Sequence, residues 1–168
     1  MGRKRSSNKP LEWKFGYVNT ANATVTNFRI VMGLKDDEVA EIHKVMSAII
    51  PAGFAAGGAD DILLQSLALS MDPDVIADPA LAASQEDLEW FYMHFHDLQE
   101  ELETSGKASH KLNDEKDVDF DPPILVGTDV GMVVHNDATI LCMSWVRLYF
   151  TRRKANVMEL NQVLLKRR

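Results

Sequence analysis

The first apolar-rich stretch, "LEWKFGYVNTANATVTNFRIVMGL", mixes aromatic and β-branched residues with Asn and Gly. That mixture predicts two short strands, near 12–18 and 24–33, split by the "NTAN" turn. In "DDEVAEIHKVMSAII" a helix capped by Asp36 or Asp37 competes with a strand favoured by the β-branched Ile42, Val45, Ile49 and Ile50 and ended by Pro51. The balance tips to a strand over 38–50. Residues 62–71 are nearly all apolar and stop at "MDPD", where Pro73 pushes its predecessor out of the helical region. The two segments are expected to pair as a hairpin across the flexible "PAGFAAGGADD" loop.

The next stretch is ambiguous. Ser84 with Asp87 resembles a capping box, and Leu88, Phe91, Phe95, Leu98 and Leu102 recur at helical spacing ahead of Gly106. A helix near 85–103 follows from this local pattern, although "WFYMHFH" also alternates acceptably as a strand. Residues 104–123 form a polar, acidic loop ending in a double Pro. "ILVGTDVGMVV" and "ATILCMSWVRLYF" then predict two strands joined as a hairpin by "HNDA". In the second, Leu141, Met143, Trp145, Arg147 and Tyr149 share one face, and Ile140, Cys142, Ser144, Val146, Leu148 and Phe150 the other. Both faces are apolar enough to pack, as in a central strand or one covered by a partner. "KANVMELNQVLLKRR" sets Val157, Leu160, Val163 and Leu164 on one helical stripe, with its terminal bases near the helix's negative end.

The expected architecture is mainly β: an antiparallel β-sandwich over 11–154, preceded by a basic flexible arm at 1–10 and followed by a C-terminal amphipathic, basic α-helix at 155–168. A length of 168 residues suits one domain, and 46% hydrophobic with 26% charged residues is a globular balance. The single cysteine, Cys142, has no intramolecular disulfide partner and reads as a buried, inert thiol. No apolar run approaches the roughly 20 residues that span a bilayer, so no membrane span is expected.

Charge is uneven along the chain. Net charge is -7, yet residues 1–10 carry +4, residues 147–168 carry +6, and the segment between them carries -17. A polar basic arm such as "MGRKRSSNK" cannot bury enough apolar surface to offset its ordering entropy, and Lys and Arg attract phosphate by counterion release. The candidate contacts to nucleic acid or to a neighbouring subunit are therefore Arg3, Lys4, Arg5, Lys9, Arg152, Arg153, Lys154, Lys166, Arg167 and Arg168. The plainer alternative is a set of solvated bases.

Chemistry is sparsely signalled. On a strand His94 and His96 would point the same way, and Asp97 or His110 could complete a metal site, which would suit a metal-dependent enzyme. The alternative is satisfied core or surface histidines. "DPD" and "DEKDVDFD" offer oxygen ligands for calcium but lack the twelve-residue loop pattern, and a solvated acidic loop explains them as well. No phosphate loop, "GxSxG", "HExxH" or "GxGxxG" occurs, so no catalytic residue or cofactor is assigned.

The segments "GRKRSSNK", "LQSLALSMDPD", "DFDPPILVGTDVGMVV" and "SWVRLYFTRRK" together resemble single jelly-roll viral capsid and virion structural proteins. The resemblance is one of pattern over most of the chain. It implies eight antiparallel strands in two sheets, self-association around symmetry axes, and an arm that sometimes touches the genome. The expected function is then a structural, non-catalytic virion subunit that assembles a shell with copies of itself and other virion proteins, in the host cytoplasm or another host compartment. A small nucleic-acid-binding accessory protein using both basic ends is the alternative, and a metal-dependent enzyme around His94 and His96 the second.

Overall fold

In the first strand Val18 and Thr20 turn inward and are buried, while Trp13, Phe15 and Tyr17 turn outward. The same two-residue period organises the whole chain. The computed structural model describes residues 11–20, 24–51, 64–75, 89–97, 114–136, 141–159 and 161. Eight strands follow in order: β1 Glu12–Thr20, β2 Thr24–Ile30, β3 Glu38–Pro51, β4 Leu64–Ser70, β5 Trp90–Asp97, β6 Asp114–Val126, β7 Val130–Asn136 and β8 Cys142–Lys154.

They form two antiparallel four-stranded sheets, ordered β1-β8-β3-β6 and β2-β7-β4-β5. This is the strand order of a jelly roll, so the expected β-sandwich is the observed fold. The core lies between the sheets. Ile42, Val45, Ile49, Val146, Leu148 and Phe150 from the first meet Ile30, Leu67, Leu69, Met132 and Val134 from the second, all essentially inaccessible. Burial of Cys142 in this layer raises its thiol pKa, in keeping with an inert core residue.

The expected hairpins are corrected by this topology. β3 pairs with β8 and β6, whereas β4 pairs with β7 and β5, so the chain crosses between sheets where a hairpin was predicted. β7 and β8 likewise belong to opposite sheets. Among the described strands, β4 and β5 are the one consecutive pair that hydrogen-bonds.

Two element assignments change as well. Trp90–Asp97 is a strand, not part of a helix near 85–103; its pairing with β4 satisfies the backbone, and tertiary context overrides the local spacing. The supposed loop at 104–123 contains most of β6. Val118 and Phe120 pack on the core while Glu115, Asp117, Asp119 and Asp121 face solvent. Pro122 and Pro123 sit where the ladder to β3 skips from Asp119 to Ile124, and the Asp121–Pro122 bond is cis. Residues lacking an N–H are tolerated at such an irregularity.

Of the C-terminal segment, residues 157–159 are helical. Asn156 caps this start: its Oδ1 accepts from the Glu159 N–H at 2.9 Å, and Glu159 Oε2 accepts from the Asn156 N–H at 2.8 Å. This is a reciprocal capping box. The rest of the predicted stripe, Leu160, Val163 and Leu164, lies outside the described residues, as does "PAGFAAGGADD" apart from Pro51; of "HNDA", His135 and Asn136 end β7 and the other two lie outside. No helix among the described residues is long and apolar enough to cross a membrane.

Gly131 on β7 reports how tightly the 71–74 turn seats on the second sheet. A Cβ there would collide with the Asp72 carbonyl and crowd Val75. Gly131→Ala is expected to cost about 1–3 kcal/mol, the usual range for overpacking against backbone, as read from urea unfolding. A cost below about 0.5 kcal/mol would mean that the turn is free to move away.

Candidate contact face

The outer face of the β1-β8-β3-β6 sheet is an ordered grid. The registers align Trp13, Tyr149, Lys44 and Asp119 in one row, Phe15, Arg147, Met46 and Asp117 in the next, and Tyr17, Trp145, Ala48 and Glu115 in a third. An aromatic column on β1 thus lies at one edge of the sheet and an acidic column on β6 at the other.

The aromatic column is open to solvent: Trp13 is 58%, Phe15 44% and Tyr17 42% exposed, with Leu11 and Leu141 exposed nearby. Phe15 stacks on Trp145 with ring centroids 6.1 Å apart. The Arg147 guanidinium lies over the Trp13 ring at 5.2 Å and reaches the Tyr149 hydroxyl at 3.4 Å, while its Nε has no hydrogen-bond partner. Contiguous apolar exposure of this kind, centred on Trp, Tyr and Arg, is the composition of an interface rather than of ordinary surface. At the opposite edge Lys44 bonds Asp117 at 2.6 Å and lies 3.9 Å from Asp119, which raises the lysine pKa.

The basic cluster at the end of β8 is engaged within its own chain. Arg152 pairs with Glu12 at 3.0 Å and donates to the Gly33 carbonyl; Lys154 pairs with Asp37 at 3.0 Å, which lowers the Asp37 pKa. Arg153 holds Glu159 through two bonds of 2.7 Å and Glu41 through one of 2.6 Å. These contacts push the arginine pKa up and bring the Glu159 carboxyl down to about 2. The other candidates, Arg3, Lys4, Arg5, Lys9, Lys166, Arg167 and Arg168, lie outside the described residues.

His94 and His96 share the inner side of β5 and are buried. His94 belongs to a hydrogen-bonded chain that links three strands. Its Nε2 lies 3.1 Å from Asp114 Oδ2 on β6, its Nδ1 lies 2.7 Å from the Ser47 hydroxyl on β3, and that hydroxyl lies 2.6 Å from the Tyr92 hydroxyl. With the imidazole neutral and the carboxylate ionised, donor and acceptor capacities give one order: Tyr92 donates to Ser47, Ser47 to Nδ1, and Nε2–H to the carboxylate. The residue types are those of an acyl-transfer triad, but Ser47 is 1% exposed and its hydroxyl is enclosed between Tyr92 and His94. The geometry makes this a tie across the sandwich. No group of three or more metal-ligating side chains converges among the described residues, and His110 lies outside them.

Burial lowers the His94 pKa below 6.5 against the opposing pull of Asp114, and burial lifts Tyr92 to about 12. The folded imidazole therefore binds a proton less readily than the unfolded one. Its contribution to stability is complete above pH 6.5 and declines as pH falls through and below that value. Calorimetry between pH 7.5 and 5 should show a wild-type midpoint falling more steeply than that of His94→Gln, which keeps polarity but cannot titrate. Parallel slopes would remove His94 as the source.

The "DPD" carboxylates also have local duties. Asp72 Oδ1 accepts from the Asp74 N–H at 3.0 Å, and Arg29 pairs with Asp129 at 3.0 Å and with Asp74 at 3.6 Å beside a cleft of about 520 Å³.

Sequence reasoning grouped Trp145, Arg147 and Tyr149 on one face but left Trp13, Phe15 and Tyr17 unconnected to them. The alternation within "WKFGY" was the available signal, and the β1–β8 pairing that joins the two sets spans nearly the whole chain. Comparison with family models and with curated proteins finds no match.

Proposed function

We propose that this chain is a structural, non-catalytic virion subunit that builds a shell by binding copies of itself and other virion proteins. The observation that supports this reading is the solvent-exposed aromatic column Trp13, Phe15 and Tyr17, continuous with Trp145, Arg147 and Tyr149 across one outer face of a jelly roll. A shell subunit needs complementary outer patches, and symmetric assembly repeats them. On this reading Arg152, Arg153 and Lys154 brace the domain through their own carboxylates, and contact with nucleic acid falls to the two basic ends.

Light scattering after size-exclusion chromatography, with electron microscopy of the same fractions, tests the proposal. Uniform particles, or small oligomers that grow with concentration, are expected. A monomer that persists at high concentration across ionic strengths would overturn it. Binding of nucleic acid by the ends should weaken steeply with added salt.

A further inference from the structure

The contact face is complementary to itself, and we infer that its occupant is the same face of a second copy, packed sheet against sheet about a two-fold axis. The inference rests on the contact-face reading above and names the partner and its register.

Charge selects the arrangement. Two like faces meet about an axis in the plane between them, and the two limiting directions of that axis run across the strands and along them. An axis across the strands sets each column against itself and opposes the acidic columns of Glu115, Asp117 and Asp119. An axis along the strands, between β8 and β3, exchanges the columns instead. β1 then lies over the partner's β6, and β8 over the partner's β3.

Each row gains a match in that arrangement. Trp13 carries an N–H donor to the partner's Asp119, and Tyr17, whose hydroxyl donates to Asn19 of its own chain at 3.0 Å, lays its ring beside the partner's Glu115. Arg147 comes down between the partner's Met46 and the partner's Asp117, within the reach of a guanidinium across sheets about 10 Å apart. Arg147 is the cation suited to this role: Arg29, Lys44, Arg152, Arg153 and Lys154 each hold a carboxylate of their own chain. Arg147, by contrast, has a ring and one hydroxyl and holds no carboxylate among the described residues. An aromatic-flanked arginine without a carboxylate of its own, two strands from Asp117, a half-exposed aspartate that Lys44 holds on one side, makes the face complementary under two-fold exchange.

Charge reversal tests this on the full chain by sedimentation velocity. Arg147→Glu alone should oppose Glu to Asp117 twice per dimer, and Asp117→Arg alone should oppose two cations twice. Each is expected to weaken self-association at least about tenfold. An equimolar mixture of the two variants restores both pairs in the heterodimer and should associate as wild type does, a rescue that no effect within one chain can produce. Circular dichroism confirms that each variant is folded, and Arg147→Gln serves as a milder second variant. The inference is overturned if the wild type is a monomer, if single variants associate like wild type, or if the mixture stays dissociated. It is also overturned if wild type pairs with an added oligonucleotide or a foreign protein through this face in place of itself. Particles formed by both single variants would sink the inference and spare the shell reading; a rescued dimer that never forms particles would do the reverse.

Discussion

Phe150→Ala should lower the unfolding free energy by about 3–5 kcal/mol, a large share of the roughly 5–15 kcal/mol that holds a domain together. Phe150 is the bulkiest of the fully buried side chains among the described residues. It projects from β8 into the layer between the sheets, opposite Ile42 of β3 in the ladder, with Glu12 of β1 on its other flank. Truncation removes apolar surface from the core and leaves a cavity that strands fixed on both sides cannot close. The loss should appear as a lower urea midpoint with an unchanged slope, because the surface exposed on unfolding barely changes. A loss under about 1.5 kcal/mol would show that this part of the sandwich is loosely filled.

The second large effect should fall on association and leave the fold nearly intact. Replacing Trp13, Phe15 and Tyr17 together by Thr keeps β-branched residues on β1 and removes the exposed aromatic column. Side chains of this type in the centre of an interface each account for about 2 kcal/mol or more, so self-association should weaken by at least a hundredfold. The thermal midpoint should move little, since the replaced groups face solvent and leave the inter-sheet core unchanged. Sedimentation against concentration measures the first quantity and calorimetry the second. Association unchanged in the triple variant would show that the column is bystander surface; a collapsed midpoint would show that it belongs to the fold.

The β character of the chain was legible in its residues, and the sheet partners were not. The reason for the near-tie between helix and strand at 38–50 is visible in β3. Its register shifts between Ile42 and Lys44, so His43 is an extra residue and the inward phase reverses: Ala40 and Ile42 before it, Val45, Ser47 and Ile49 after it. Ile42, Val45 and Ile49 therefore stand three and four apart, the spacing of a helical stripe, although each points into a sandwich. β5 is different: a register shift lies opposite Leu69 and Ser70, but Phe91 packs on the core while Phe95 faces solvent, so their helical spacing marks no common face. In β6 the alternation of "DVDFD" was present, but acidic residues on every outward position made it look like a solvated loop. Hairpin logic failed for a topological reason, since turn signals reveal where a strand ends and not which sheet receives the next one.

The candidate site was half visible. Apolar residues on both faces of β8 pointed to a covered outer face. The matching aromatics were about 130 residues away in sequence, beyond any local pattern. Ser47, Tyr92 and Asp114 were likewise scattered over three strands, and nothing in the spacing of His94 and His96 announced that one of them would be tied by its neighbours across the sheets.

The pairing of the first strand with the last also sets a clock on synthesis. Glu12 waits for Phe150, so at about 5–20 residues per second the ribosome needs roughly 7–28 s to make the strand that seats β1. Throughout that interval three aromatic side chains hang on a nascent segment with no sheet to join. Holdase chaperones would find their target there, and expression that outruns them would yield inclusion bodies seeded by the amino-terminal part of the chain.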